Sequence, residues 1–120
     1  MSLEAAIICA ALNLIYEARG ESLTGQYAVV HVTRNRAKYN PDNVCKVVFA
    51  HKQFSWTITM PGHSGGDFEK ALHIAKLAWE SPGDVTYGAT HFHAAHIRPY
   101  WAASMKRTVR IGNHIFYRKR

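Results

Sequence analysis

Residues 15 to 22 read IYEARGES, and this stretch holds two carboxylates, Glu17 and Glu21, whose types and placement could do chemistry. Glu17 falls at the tail of an apolar helical run, and Gly20 follows three residues later. The last turn of a helix is the negative end of the backbone dipole, where an acid is disfavoured by about 0.3–1 kcal/mol. Ile15 and Tyr16 beside it would also desolvate a carboxylate. Both effects favour the protonated form, which is the form a general acid needs in order to protonate a glycosidic oxygen. On these residues alone the competing reading is a surface glutamate paired with Arg19 or Arg34. Glu21 lies beyond Gly20, so helical facing does not carry over to it. It is a candidate second carboxylate, but the favoured readings are a partner of Arg19 and an acid in the first turn of the next helix.

A second constellation is QFSWT, which holds Gln53, Ser55 and Trp56 in a loop-like stretch. Amide and hydroxyl groups can fix sugar hydroxyls, and an aromatic face can stack on the CH surface of a pyranose. Gln53 and Ser55 are therefore read as substrate contacts, while Trp56 and Phe54 could equally be core. Among eight histidines, His91 and His93 are two apart in a presumed strand and share a face. That spacing is compatible with a metal, yet no H-E-x-x-H motif accompanies it. The histidines are read as satisfied or cleft-lining, and neither a metal nor another cofactor is expected.

The elements that must position these groups follow from periodicity. Apolar residues at Leu3, Ile7, Ala11, Leu14 and Ile15 predict a helix over 3–19, capped by Ser2 and closed by Gly20. Ser22 or Thr24 starts a second helix with Ala28, Val29, Val32 and Ala37 inward, and Asn40-Pro41 stops it. A short helix through Val44–Phe49 leads into the breaker-rich stretch HKQFSWTITMPGHSGGD. Asp67 is expected to cap a further helix that ends at Ser81-Pro82-Gly83. The last third reads as a strand in ATHFHAA, a helical turn in PYWAASM and a hairpin about Gly112-Asn113. A two-residue turn pairs Ile111 with His114 and Val109 with Phe116, leaving Arg110, Ile115, Thr108 and Tyr117 on the other face. The class is α+β: helices first, then a small antiparallel sheet.

The chain has 120 residues, which suits one domain spanning 1–120. Its formal charge of +7 implies attraction to an anionic polymer: nucleic acid, anionic lipid or the bacterial wall. No dense recognition helix or zinc-finger spacing favours nucleic acid. Lys106-Arg107 and the terminal RKR fit teichoic acid, lipopolysaccharide or muropeptide carboxylates. Cys9 and Cys45 both lie in apolar stretches and are read as buried free thiols, since nothing in their spacing demands a disulfide. The apolar N-terminus has no basic leading region and carries Glu4, so it does not read as a signal peptide, and no apolar run is long enough to span a membrane.

Glu17-Ala18-Arg19-Gly20-Glu21, Gly25-Gln26, Ala28-Val29 and Asn35-Arg36 together resemble the opening motif of the spore cortex-lytic, SleB/CwlJ-like cell wall hydrolase family. The resemblance continues through VCKVVFAHKQFSWT, THFHA, PYWA and RIGNHIFYR, nearly the whole chain. It implies a lysozyme-like, lytic-transglycosylase-like domain that cleaves the MurNAc-GlcNAc strand of peptidoglycan, with Glu17 as the essential acid at a helix end. It also places His93 and His114 near the cleft, since both lie in family-like motifs. A lytic transglycosylase needs only one carboxylate, which suits a chain with eight acids and no second one in a recognisable motif with Glu17 other than Glu21. Lysozyme-type hydrolysis stays open, as do a zinc amidase using His91, His93 and His114 and a nucleic-acid-binding module. The expected protein is a monomer that binds peptidoglycan, without nucleic acid or stable membrane insertion. It would be made in the cytoplasm and act on the wall after release, as a phage or prophage endolysin does.

Overall fold

The computed structural model describes residues 2–51 and 65–120. Helix α1 spans Leu3–Ala18, and Ser2 caps it by accepting a 3.2 Å hydrogen bond from the Ala5 amide. Of the expected stripe Ile7, Ala11, Leu14 and Ile15 are buried, joined by Ala6, Ala10 and Ala18, while Leu3 is exposed. The chain leaves α1 through Arg19 and Gly20, with the Glu21 amide bonded to the Ala18 carbonyl. Gly20 does not adopt the left-handed conformation of a glycine cap, so its role at that corner is not the one the spacing suggested.

Helix α2 spans Leu23–Arg36 and is capped by Ser22, not Thr24, through the Gly25 amide at 3.2 Å. It ends where Lys38 and Tyr39 turn left-handed, at φ 55° and 62°, ahead of Pro41. A 3-10 turn, Pro41–Asn43, leads into α3, Val44–His51. Helix α4 spans Gly65–Glu80, so Asp67 sits in its first turn and not at its cap. Helix α1 packs against all three of the others and shares the larger apolar core with them.

The cysteine expectation is corrected here: Cys9 and Cys45 are joined by a disulfide. Packing of α1 on α3 brings their Cα atoms to 5.2 Å, well inside bridging range, across 36 residues of sequence. Spacing along the chain carried no signal of that approach, because it is set by how two helices dock.

Strands β1 (His91–Ala94), β2 (Lys106–Ile111) and β3 (His114–Arg118) form an antiparallel sheet in the order β1-β3-β2. The hairpin turns at Gly112-Asn113 with Ile111 opposite His114 and Val109 opposite Phe116, as the two-residue turn requires. The pairing then shifts: Tyr117 lies opposite Arg107, so Thr108 and Tyr117 are not the simple same-face neighbours expected. A bulge takes up one extra residue of β2 there, and Thr108 Oγ1 turns to donate to the Phe116 carbonyl at 3.2 Å. Phe92 and Phe116 face inward on Ala28 and Val32 of α2, and Phe92 also packs against the helical core.

Two polar devices fix α4 relative to α2. Buried Arg34 donates to the carbonyls of Ala78, Trp79, Ser81 and Gly83 at 2.7–3.3 Å, satisfying the open end of α4. Its guanidinium also lies 4.6 Å from the ring centre of Tyr39. Fully buried His31 places Nε2 2.9 Å from the Ala78 carbonyl and accepts the Val85 amide on Nδ1 at 3.1 Å. A carbonyl can only accept, so Nε2 carries the proton and the ring is neutral. Burial, and after it the charge of Arg34, hold its pKa below the usual histidine value, against the opposing pull of the Ala78 bond and Asp84.

Candidate active site

Glu17 stands in the last turn of α1, half-buried, in a turn that carries no basic residue. One turn earlier on the same face is Asn13, a buried amide in an otherwise apolar stripe, which donates to Thr33 Oγ1 of α2 at 3.4 Å. Asn13 and Thr33 line a small cavity with Arg36 of α2 and with Thr90, His91 and Phe92 at the start of β1. Arg36 bridges the helical and sheet halves by donating to the Thr90 carbonyl at 3.1 Å. Burial lowers the pKa of its guanidinium, which stays charged. Asn13 of α1 therefore faces the start of β1, the edge strand of the sheet.

Glu21 is not in the first turn of α2; it precedes the cap residue Ser22. Its Oε1 accepts the Asn113 amide at 3.1 Å and lies 3.9 Å from His114 Nδ1. Its backbone carbonyl accepts the Gln26 side-chain amide at 2.9 Å. Glu21 thus ties the corner between α1 and α2 to the tip of the hairpin. Gly112 is required there for two reasons: its φ is +57°, and a Cβ would run into Glu21 Oε1.

His93 and His114 are not brought together. Parity along the strands puts His114 on the inner face, edge-on to Phe92 at 5.0 Å, and His93 on the outer face beside Tyr117 and Trp101. His93 Nδ1 lies 2.7 Å from the Ala94 carbonyl and Nε2 lies 2.8 Å from the Tyr117 hydroxyl. Both ring nitrogens are engaged, and His91 and His93 cannot share a metal with His114 through the sheet. Among the described residues, no three His, Cys, Asp or Glu side chains gather as a metal site. Gln53, Ser55 and Trp56 lie outside the described residues.

Several of these residues were given no role at the site from the sequence. Asn13 had a signal, since a buried amide one turn before Glu17 breaks the apolar stripe. Arg36 had one too, as a basic residue at the end of an inward-facing helix. Trp101 and Tyr117 had none, because their meeting with His93 depends on the sheet order and on the turn that follows β1.

The fold is also that of solved structures. The chain is similar to the catalytic domain of the germination-specific lytic transglycosylase SleB from Bacillus anthracis, at 25% identity and a TM-score of 0.70, over 98% of this chain and 97% of that one. It is similar to the catalytic domain of the Bacillus cereus SleB protein at 23% identity and a TM-score of 0.71, over 98% of this chain and 92% of that one. A search among curated proteins gave no significant match. The family model described as Cell Wall Hydrolase matches residues 20–117, beginning three residues after Glu17 and taking in both the clamped hairpin and the sheet. By that match over most of its length, the chain belongs to the cell wall hydrolase family.

Proposed function

We propose that residues 1–120 act as one catalytic domain that cleaves the glycan strand of peptidoglycan as a lytic transglycosylase, with Glu17 as its general acid and base. The observation that carries the choice of acid is the place of Glu17, half-buried in the last turn of α1, in a turn without a basic residue. Glu21 instead accepts the Asn113 amide at the hairpin tip and serves the fold there. Family membership and the likeness to a lytic transglycosylase domain support the substrate and reaction type.

In the first step Glu17 gives its proton to the glycosidic oxygen as the bond from C1 of the muramic sugar breaks. The N-acetyl oxygen of that sugar can stabilise the positive charge at C1. In the second step the Glu17 carboxylate takes the proton of the 6-hydroxyl as that oxygen attacks C1, closing an anhydro ring and restoring the acid. One carboxylate serves both steps. Hydrolysis would instead bring water to C1 and leave a reducing end.

Digestion of purified sacculi followed by mass spectrometry of the products tests this reading. Anhydromuramic ends are expected. Reducing muramic ends would make the enzyme a muramidase, and freed stem peptides would overturn the reading. The positive surface is proposed to hold the enzyme to the wall. Among the described residues no helix is long and apolar enough to cross a membrane.

A further inference from the structure

The outer face of the sheet carries a groove that cleavage of the glycan bond does not account for. Two rings of its lining, His93 and Tyr117, stack at 5.2 Å with 24° between planes, and Trp101, outside the lining, stands edge-on to both at 5.7 and 5.4 Å. The Tyr117–His93 hydrogen bond locks the stacked pair and leaves His93 no ring nitrogen for acid–base work. Arg98, in the turn after β1, and Arg107, in β2, line the groove together with Ile97 and Ile115. Both arginines are exposed, and among the described residues neither makes an ion pair with a carboxylate. The hollow is about 390 Å³, the size of a small-ligand site and too small for a folded partner.

We propose that this groove binds the acidic peptide stem of peptidoglycan, with Arg98 and Arg107 holding its carboxylates and Ile97 and Ile115 meeting its methyl groups. The inference rests on the reading that the wall is the substrate. Two planar guanidiniums beside an apolar floor, with no acid among the lining residues, complement a short peptide that carries carboxylates and alanine methyls. The uncharged hydroxyls of a sugar would leave both cations without partners. The groove therefore selects peptide-bearing strands, while Glu17 acts on the glycan bond.

The test uses a synthetic stem tripeptide, alanyl-isoglutamyl-lysine, titrated against the protein while NMR follows the Trp101 indole and the Tyr117 ring. The free acid should shift both signals. The same peptide with its carboxyls amidated, and glycerol phosphate as a teichoic acid mimic, should not. In parallel, kcat/KM is measured on peptide-bearing strands and on strands stripped of peptide by an amidase. The Arg98→Gln, Arg107→Gln double variant, confirmed as folded by its melting curve, should lower the preference for peptide-bearing strands about tenfold. Equal binding of the amidated peptide, binding of glycerol phosphate instead, or an unchanged preference in the variant would overturn the assignment. Wild-type protein that cleaves both strands equally and ignores the tripeptide would sink the groove alone. Wild-type protein that cleaves neither would sink the wall reading with it.

Discussion

At the scale of single residues, the two glutamates of one short motif are separated by where each stands, Glu17 in the last turn of α1 and Glu21 at the corner bonded to the hairpin tip. Glu17→Gln keeps the shape and removes the transferable proton, so turnover on sacculi should fall by about 10²-fold or more. Its melting temperature should be unchanged or slightly higher, because a negative charge leaves the wrong end of the α1 dipole. Glu21→Gln keeps an oxygen that can accept the Asn113 amide and should cost far less activity. Glu21→Ala leaves that amide without its acceptor and should lower stability by about 1–3 kcal/mol. Lysis rates and melting curves for the three variants, measured side by side, check the assignment. A dead Glu21→Gln beside an active Glu17→Gln would reverse it. In the sequence, the helix end made Glu17 a candidate acid, and the family resemblance carried the choice. The sequence could not assign Glu21, whose partner is 92 residues away.

At the scale of elements, α4 is held by α2 through side chains that cap its open carbonyls. Arg34→Met should cost about 3 kcal/mol, since the Trp79, Ser81 and Gly83 carbonyls lose this donor together and Ala78 keeps only His31. The same junction sets an acid limit on the fold. The folded protein holds His31 neutral below its ordinary value of 6.5, whereas the unfolded chain takes up a proton there. The unfolded state then binds more protons, so stability is complete above that value and is lost as pH falls through it, by at most ~1.4 kcal/mol per unit. Asp84 acts in the same direction at lower pH. Its burial is outweighed by hydrogen bonds from the Thr86 hydroxyl, Asn35 and the Thr86 and Gly88 amides, which hold its pKa below 3.8. Its stabilisation is lost as pH falls through that depressed value. Thermal melting across mildly acidic pH should show a decline beginning below neutrality, and His31→Gln should flatten that first part while lowering the overall melting temperature. A flat wild-type profile through this range would contradict the role given to His31.

At the scale of the whole molecule, the disulfide and the surface charge are the features that act across elements. Reduction of Cys9–Cys45 opens a loop of 36 residues between α1 and α3 and should lower stability by about 2–4 kcal/mol. Melting with and without a thiol reductant measures it, and a Cys9→Ala, Cys45→Ala variant should melt like the reduced protein. The charge of +7 should make cleavage of sacculi fall steeply with added salt, since screening shortens to ~8 Å near physiological ionic strength. A short soluble glycan should respond much less. Equal salt sensitivity on the two substrates would show that the positive surface does not serve wall binding.

What the sequence determined by itself is what depends on near neighbours. The stripe of α1, the Ser2 cap, the α+β order, the Gly112-Asn113 turn and the inward pairing of Val109 with Phe116 all follow from residues within a few positions of one another. Tertiary structure alone decided the Cys9–Cys45 bond, the central place of β3, the capping of α4 by Arg34 and the separation of His93 from His114 by the thickness of the sheet. Each of these joins groups distant in sequence, and such contacts depend on which faces pack and in what register. A single bulge at Thr108 was enough to change which residue stands opposite Tyr117. Periodicity reports which side of an element is apolar, but the partner on that side is chosen only when the whole chain has closed around it.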